Sequence, residues 1–183
     1  MGAVCPAGAR SRWRNRRPIE VGLASCAVDA IDHAILCELQ ADGRVANNDL
    51  ADRVGLSPSA CLRRVRNLEG GGIITGYVAR FDREAIGCGY EALVWVTLKE
   101  VTRPSMLDFE TAIQAIPEIV EASRMMGQPD YLLRVVTADA ATFEALYIDR
   151  LAGLPQVQTL TSQLAMKVVK RSDVLPISRD RST

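Results

Sequence analysis

Hydrophobic residues recur at helical spacing in two segments that follow Asp29, and polar residues separate the two. The first segment begins at Asp29, whose carboxylate suits the positive N-terminal end of a helix, and ends at Gly43. The second segment can be capped by Asn47 or by Asn48 and ends at Gly55. This spacing predicts two short amphipathic helices joined by a few polar residues.

A third helix begins after Ser57, a favourable N-cap residue, with Pro58 in the first helical position. Only about three residues, including Gly55, separate it from the second helix, and this short connection is typical of a helix-turn-helix. At 100° per residue its apolar positions share one face. The opposite face and its flanks carry small, basic and hydrogen-bonding residues, namely Ser59, Ala60, Arg63, Arg64, Arg66 and Asn67.

Such a surface suits the major groove of B-DNA. Small residues near the helix start allow close approach, Arg63 can reach guanine edges, and Asn67 can reach adenine or phosphate. The alternative is a solvated face, the usual environment of charges on a surface helix. The capped turn and the acidic remainder of the chain favour DNA, because they single out one local basic stripe. The predicted DNA-contacting residues are Ser57, Ser59, Arg63, Arg64, Arg66 and Asn67.

Three consecutive glycines, at positions 70 to 72, end the third helix. The run that follows, residues 73–81, is rich in β-forming residues and predicts a strand and linker. These signals place a helix-turn-helix domain at residues 29–76 and a linker strand at 77–87.

The second half of the chain contains a repeat with a period of 38 residues. Each copy has the pattern of a strand, an amphipathic helix, a proline and a second strand. Two copies form β-α-β-β-α-β, the ferredoxin-like arrangement, so the chain as a whole is α+β. The predicted strands are 93–98, 119–126, 131–136 and 157–164, and the predicted helices are 105–115 and 140–151, within a domain of about 88–170 followed by a tail at 171–183.

The first strand of this repeat is apolar on both of its sides. Leu93 and Trp95 alternate with Val94 and Val96, whereas a sheet with one face in water alternates apolar and polar residues. An exposed apolar face of this kind is unusual in a monomer. The pattern therefore predicts a homodimer in which two sheets pack against each other.

Charge is distributed unevenly along the chain. Its 183 residues have no net charge, yet residues 1–28 carry +4, residues 29–81 carry −1, residues 82–177 carry −4 and the last six carry +1. We interpret the leader, residues 1–28, as a disordered basic arm that can touch phosphates, or as an upstream extension of the gene.

Composition excludes several classes of protein. A chain that is 48% hydrophobic and 24% charged has an ordinary globular balance, and no stretch approaches the ~20 apolar residues of a membrane-spanning helix. Five cysteines without a Cys-x-x-Cys pair predict reduced thiols in a cytosolic protein. His33 is the single histidine, so no site can use two imidazoles. We expect no metal, no cofactor and no enzymatic activity.

These motifs together resemble the Lrp/AsnC family, the leucine-responsive or feast/famine transcription factors of bacteria and archaea. The resemblance covers about residues 29–175. The basic leader departs from the family, whose chains normally begin close to the first helix. The matching segments are Asp42-Gly43-Arg44, Leu50-Ala51, Val54-Gly55-Leu56-Ser57-Pro58-Ser59, Cys61-Leu62-Arg63-Arg64-Val65, Leu68-Glu69, Ile73-Ile74-Thr75-Gly76-Tyr77 and Gly127-Gln128-Pro129-Asp130-Tyr131.

The resemblance implies a dimer that assembles into tetramers or octamers on promoter DNA and binds an amino acid or a related metabolite between dimers. The effector site would lie near Gly127, and Asp130 can receive a ligand ammonium group or, alternatively, only cap the turn. Thr137, at the far end of the third strand of the repeat, is a further candidate.

The resemblance also implies a cytoplasmic protein associated with the nucleoid. A rival function comes from a different class of protein. In it, the ferredoxin-like domain binds a small molecule or is enzymatic, and the helices only mediate protein contacts. Salt-dependent binding to a palindromic promoter fragment distinguishes the two.

Overall fold

The computed structural model describes residues 28–170 and 174–177. These residues fall into two compact units. The helical unit comprises residues 28–77 together with 174–177, and the sheet unit comprises residues 78–170. The interpretation of the leader as a basic arm concerns residues that lie almost entirely outside the described part of the chain.

Three helices form the helical unit: α1 (Ala30–Ala41), α2 (Asn47–Val54) and α3 (Pro58–Gly70). The predicted start of α3 is confirmed, because the Ser57 side chain accepts a hydrogen bond from the backbone N–H of Ala60. Asp29 caps α1 through a reciprocal pair of hydrogen bonds with Asp32.

The predicted cap of α2 was wrong. The N-cap position is Ala46, which makes no side-chain hydrogen bond, and Asn47 is already the first helical residue. The Asn47 side-chain amide instead donates to the backbone carbonyl of Pro58 at 2.9 Å. Asn47 thus connects the start of α2 to the start of α3. At the other end of α2, Gly55 adopts φ +69°, a left-handed conformation that favours glycine and turns the chain toward α3.

The core of the helical unit is small and aliphatic, and one buried thiol completes it. Each helix contributes at least one side chain that is less than about a tenth exposed. The buried residues are Ile35, Leu50, Ala51, Cys61, Val65 and Leu68.

The run that follows α3 forms no strand in this structure, so the strand predicted over residues 73–81 is wrong, and the linker at 77–87 is likewise not a strand. A strand needs a neighbour that shares its backbone hydrogen bonds, and no described strand pairs with these residues. Residues 83–87 form a turn, in which the Asp82 carboxylate accepts hydrogen bonds from the backbone N–H groups of Glu84 and Ala85.

The sheet unit has the predicted β-α-β-β-α-β order. Its four strands pair antiparallel in the order β2-β3-β1-β4, so β1 and β3 are central. This order confirms the ferredoxin-like arrangement and, with the helical unit, the α+β class. The elements are β1 (Tyr90–Leu98), α4 (Arg103–Ile113), β2 (Ile119–Arg124), β3 (Tyr131–Thr137), α5 (Ala140–Leu146, continued by a π-helical turn at Tyr147–Leu151) and β4 (Val157–Leu164).

Both helices of the sheet unit pack on the same face of the sheet. Alternate residues of β1 and β3 are buried there, as the two-residue period of a strand requires. The Phe109 ring of α4 lies 4.7 Å from the Tyr131 ring of β3, measured between centroids. The other buried residues of this core are Val94, Val96, Leu98, Ile113, Ile116, Leu133, Val135, Leu146, Leu151 and Leu154.

The opposite face of the sheet carries Leu93 and Trp95, which are half-buried, as their alternation with the core residues predicts. The Trp95 indole N–H donates to the Gln163 side chain across the β1–β4 pair at 3.3 Å. The face is not purely apolar, because Arg134 forms an ion pair with Glu121 at 3.0 Å. We call this surface the open face.

Candidate DNA interface and effector loop

One face of α3 presents five of the six predicted DNA-contacting residues to solvent. All five are exposed, and they span the helix from its cap to its third turn. These residues are Ser57, Ser59, Arg63, Arg66 and Asn67. The buried face of α3, which holds Cys61, Val65 and Leu68, fixes the helix against the rest of the unit. The exposed face is therefore held in a defined orientation by the core.

The two serines lie at the very start of α3. The Ser57 hydroxyl caps the helix and lies 3.3 Å from the Ser59 hydroxyl. Both side chains are short and exposed, so the helix start can approach another molecule closely. A helix N-terminus also carries partial positive charge, which favours a phosphate.

Arg64 differs from the other basic residues of α3, because it is half-buried in an ion pair with two carboxylates of the α1 region. Its guanidinium lies 2.7 Å from the carboxylate of Asp29 and 2.8 Å from that of Asp32. The hydrogen bonds that the guanidinium donates to Asp32 and to Asp29 raise the pKa of Arg64. These contacts join α3 to the start of α1 and hold Arg64 away from the exposed face of α3.

The Asp29 carboxylate has a lowered pKa. The largest cause is the hydrogen bond that it accepts from the backbone N–H of Asp32, and the guanidinium of Arg64 lowers it further. The charged form of Asp29 is therefore favoured by the capping geometry and then by the ion pair.

The predicted effector loop connects β2 to β3. Gly127 adopts φ +98°, a conformation that residues with a Cβ rarely adopt, and a larger residue there would be strained. Asp130, at the end of the loop, is only 9% exposed. Its carboxylate accepts a hydrogen bond from the backbone N–H of Leu98 at 2.8 Å, and its own N–H donates to the carbonyl of Val96 at 2.9 Å. Asp130 therefore anchors the loop to β1.

This anchoring matches the alternative in which Asp130 only caps the turn. It occupies only part of the hydrogen-bond acceptor capacity of the carboxylate, however. An ionised carboxylate offers about four acceptor sites on two oxygens, and the bond to Leu98 occupies one of them. The loop position and the remaining acceptor capacity are compatible with a bound ammonium group.

Thr137 is not near the effector loop. It is the last residue of β3, whereas Asp130 immediately precedes that strand. At about 3.3 Å per residue the two residues are about 20 Å apart. The Thr137 hydroxyl is buried and donates to the carbonyl of Asp139 at 3.0 Å, where it supports the start of α5. A single chain does not bring Thr137 together with Gly127 and Asp130.

A polar cluster next to the effector loop was not predicted from the sequence. The Tyr131 hydroxyl donates to the Glu110 carboxylate at 2.9 Å, and Arg124 donates to the same oxygen through Nε at 3.0 Å. Burial, and then the hydrogen bond to Glu110, raise the pKa of Tyr131 to about 12. The three residues come from β3, α4 and β2, so no local spacing in the sequence signals the cluster.

Comparison with known proteins follows the division into units. Residues 28–75 match the family described as winged helix-turn-helix DNA-binding, and residues 91–175 match the Lrp/AsnC ligand binding domain. The leucine-responsive regulatory protein of Rhizobium meliloti is 39% identical over 143 residues, which cover 78% of this chain and 92% of the relative. The chain belongs to the Lrp/AsnC family. The leucine-responsive regulatory protein of Escherichia coli is also 39% identical, over 82% of this chain and 92% of its own.

Solved structures of the Lrp/AsnC family share this fold. A transcriptional regulator from Neisseria meningitidis, solved as a complex with L-Met, superposes with a TM-score of 0.76 at 34% identity, covering 81% of this chain and 96% of its own. The feast or famine regulatory protein of M. tuberculosis, complexed with L-methionine, has a TM-score of 0.75 at 34% identity, covering 83% and 100%. This Lrp/AsnC protein is thus a DNA-binding transcriptional regulator with a ligand-binding domain, not an enzyme.

Two further features are absent from residues 28–170 and 174–177. None of the helices described there is both long enough and apolar enough to cross a membrane. Within the same residues, no three His, Cys, Asp or Glu side chains are grouped so that they could hold a metal ion.

Proposed function

We propose that this Lrp/AsnC protein binds promoter DNA in a sequence-specific manner and that an amino acid or a related small metabolite modulates this binding. The exposed face of α3 is the observation on which the proposal rests. It carries Arg63, Arg66 and Asn67 on one side of a helix whose other side is buried. Arginine reads guanine and asparagine reads adenine in the major groove, so this face has the chemistry of direct base readout.

The residues of α3 divide into two roles. Arg63 and Asn67 contact base edges, whereas Ser57, Ser59 and Arg66 contact the phosphate backbone. Arg64 has a positioning role. Its ion pairs with Asp29 and Asp32 set the angle of α3, and its side chain does not enter the groove. This assignment changes the role that the sequence predicted for Arg64.

A homodimer supplies a second copy of the α3 face. The open face supports this assembly, because Leu93 and Trp95 lie half-buried on the side of the sheet opposite to α4 and α5. A second copy of α3 doubles the basic residues that can face DNA. This matters because the chain has zero net charge, so phosphate binding must come from a local basic stripe. Dimers then assemble into tetramers or octamers, and the protein acts in the cytoplasm on nucleoid DNA.

The effector binds at the loop between β2 and β3. Two structural neighbours were solved with L-methionine, which supports an amino acid as the ligand class. The Asp130 carboxylate receives the ammonium group, and the positive φ of Gly127 shapes the turn beside it. Thr137 contacts the effector only as a residue of another copy, since it lies about 20 Å from Asp130 along β3.

DNA recognition is tested by fluorescence anisotropy with promoter fragments across a range of salt concentrations. Arg63→Ala should weaken specific binding by about 10- to 100-fold, as expected for one lost bidentate base contact. Arg103→Ala is the matched control, because Arg103 is an exposed arginine of the sheet unit and its removal changes the net charge equally. Equal affinities of the two variants would overturn the recognition-helix assignment, and salt-independent binding would favour the rival function.

Effector binding is tested by thermal-shift screening of the twenty amino acids, because a ligand that binds only the native state raises its stability. Asp130→Asn should abolish the shift and keep the fold, since the Asn side-chain oxygen can still accept from Leu98 N–H. Asp130→Ala should also lower stability, by about 1–3 kcal/mol, because it leaves that buried N–H unpaired. An unchanged ligand shift in Asp130→Asn would exclude the proposed ammonium contact.

A further inference from the structure

A short segment near the C-terminus lies against the first helix of the helical unit. Residues 174–177 belong to the same compact unit as α1, although more than 130 residues separate them in sequence. The side-chain amide of Gln40 accepts a hydrogen bond from the backbone N–H of Leu175 at 2.6 Å and donates to the carbonyl of Leu175 at 3.4 Å. One side chain thus pairs with both backbone groups of one residue.

This paired contact has a clear physical meaning. A primary amide has the same donor and acceptor as a peptide group, so Gln40 pairs with Leu175 as a neighbouring strand would. The contact involves the backbone of the segment and not its side chains, and the Leu175 side chain is 67% exposed.

A second contact lies one helical turn earlier on the same face of α1. The Cys37 thiol lies 3.9 Å from the carbonyl oxygen of Ile177, and both residues are half-buried. Cys37 and Gln40 are three residues apart, so their side chains are neighbours on the helix surface. Together they contact the segment at two points.

We propose that the surface formed by Cys37 and Gln40 on α1 is a docking site for residues 174–177 of the same chain. The chain leaves the helical unit after Tyr77 and re-enters it at Val174. The first of these connections is fastened to α3, because the Tyr77 hydroxyl donates to Glu69 at 3.0 Å. The docked segment fastens the second connection to α1. Within the helical unit, the linker side of the chain is therefore fastened to α3 and the C-terminal segment to α1.

The test measures how fast iodoacetamide alkylates Cys37 in the full-length protein, with peptide mass spectrometry to separate the thiols. Leu175→Pro removes the N–H that donates to Gln40, whereas Leu175→Ala keeps that N–H and serves as the matched control. A third chain ends after Lys170 and lacks the segment. Cys61, buried in the same unit, reports general unfolding, and Cys88 of the sheet unit reports reagent activity.

We expect Leu175→Pro and the truncated chain to raise the Cys37 rate about two- to ten-fold relative to Cys61, which corresponds to the loss of one or two hydrogen bonds. Leu175→Ala should stay within a factor of two of the unmodified chain. A Cys37 rate that is unchanged by truncation would overturn the docking site. Equal rises in Leu175→Pro and Leu175→Ala would overturn its basis in the backbone pairing.

Discussion

The two units of this protein hold their candidate binding residues in different ways. In the helical unit, five candidate residues share one face of a single helix and lie within eleven positions of each other, from Ser57 to Asn67. In the sheet unit, the three candidates lie at opposite ends of β3, with Asp130 before it and Thr137 at its last position. A helix gathers residues that are close in sequence, whereas a strand separates them by about 3.3 Å per step.

This difference bears on what one chain can do. The candidate residues of α3 all belong to one helix, so a single copy presents them together. Gly127 and Asp130 share one loop, whereas Thr137 could join them around one amino acid only from another copy, because β3 separates it from Asp130. Regulation that depends on assembly is therefore expected of the sheet unit and not of the helical unit.

The units also differ in what holds them together. The helical unit buries a small aliphatic core, whereas the sheet unit buries Phe109 against Tyr131 beneath a four-stranded sheet. Phe109→Ala should destabilise the sheet unit by about 3–5 kcal/mol, because it removes a fully buried ring and leaves a cavity. Urea unfolding followed by Trp95 fluorescence measures this loss.

The control for this comparison is Leu107→Ala on the same helix, since Leu107 is 51% exposed and should change stability by less than about 0.5 kcal/mol. In Phe109→Ala, the helical unit should unfold at the same urea concentration as in the unmodified chain. Circular dichroism at low urea follows this transition. If both units lost stability together, their cores would not be independent.

The second prediction concerns the pKa of Tyr131, which is raised to about 12 in the folded sheet unit. The unfolded phenol titrates near 10, so the folded state binds this proton more tightly. The resulting stability is fully present below pH 10 and is lost as pH rises through 12, a change of about 2–3 kcal/mol at about 1.4 kcal/mol per pKa unit.

Urea unfolding between pH 8 and pH 12 of the unmodified chain and of Tyr131→Phe checks this expectation. Tyr131→Phe should cost about 1 kcal/mol at neutral pH, because it removes the hydrogen bond to Glu110. The two stability curves should then approach each other above pH 10 and cross before pH 12, because the loss of about 2–3 kcal/mol in the unmodified chain exceeds that cost. Curves that remain parallel over the whole range would refute a strongly perturbed phenol.

The helical unit was largely predictable from sequence because its signals are local. The serine cap and the proline at the start of α3 lie within two residues of each other, and the buried face of that helix follows a 3.6-residue period. The strand at Val157–Leu164 has the predicted bounds for a similar reason, since proline and glycine stand before it. Alternation in β1 likewise predicted that Leu93 and Trp95 lie on one side of the sheet and Val94 and Val96 on the other.

Features that depend on distant partners were missed. Arg64 was grouped with the DNA-contacting stripe, yet Asp29 and Asp32, more than thirty positions away, hold it. The helix α4 begins at Arg103 instead of 105, because Thr102 forms a capping box that the prediction did not consider. The strand expected near residue 77 is absent because β propensity alone does not supply a pairing partner.

The smallest expected effect concerns Arg64 itself. Arg64→Met should change the stability of the helical unit by less than about 1 kcal/mol, because ion pairs that solvent still reaches contribute little. The pKa of Asp29 should remain below its ordinary value of 3.8, since the hydrogen bond from the backbone N–H of Asp32 is the largest cause of the lowering. The stability linked to Asp29 is present above that ordinary value and is lost as pH falls through the lowered pKa, in the variant as in the unmodified chain. Titration of the Asp29 carboxyl carbon by nuclear magnetic resonance measures this, and a return to the ordinary pKa in Arg64→Met would mean that the ion pair, and not the helix cap, holds this carboxylate ionised.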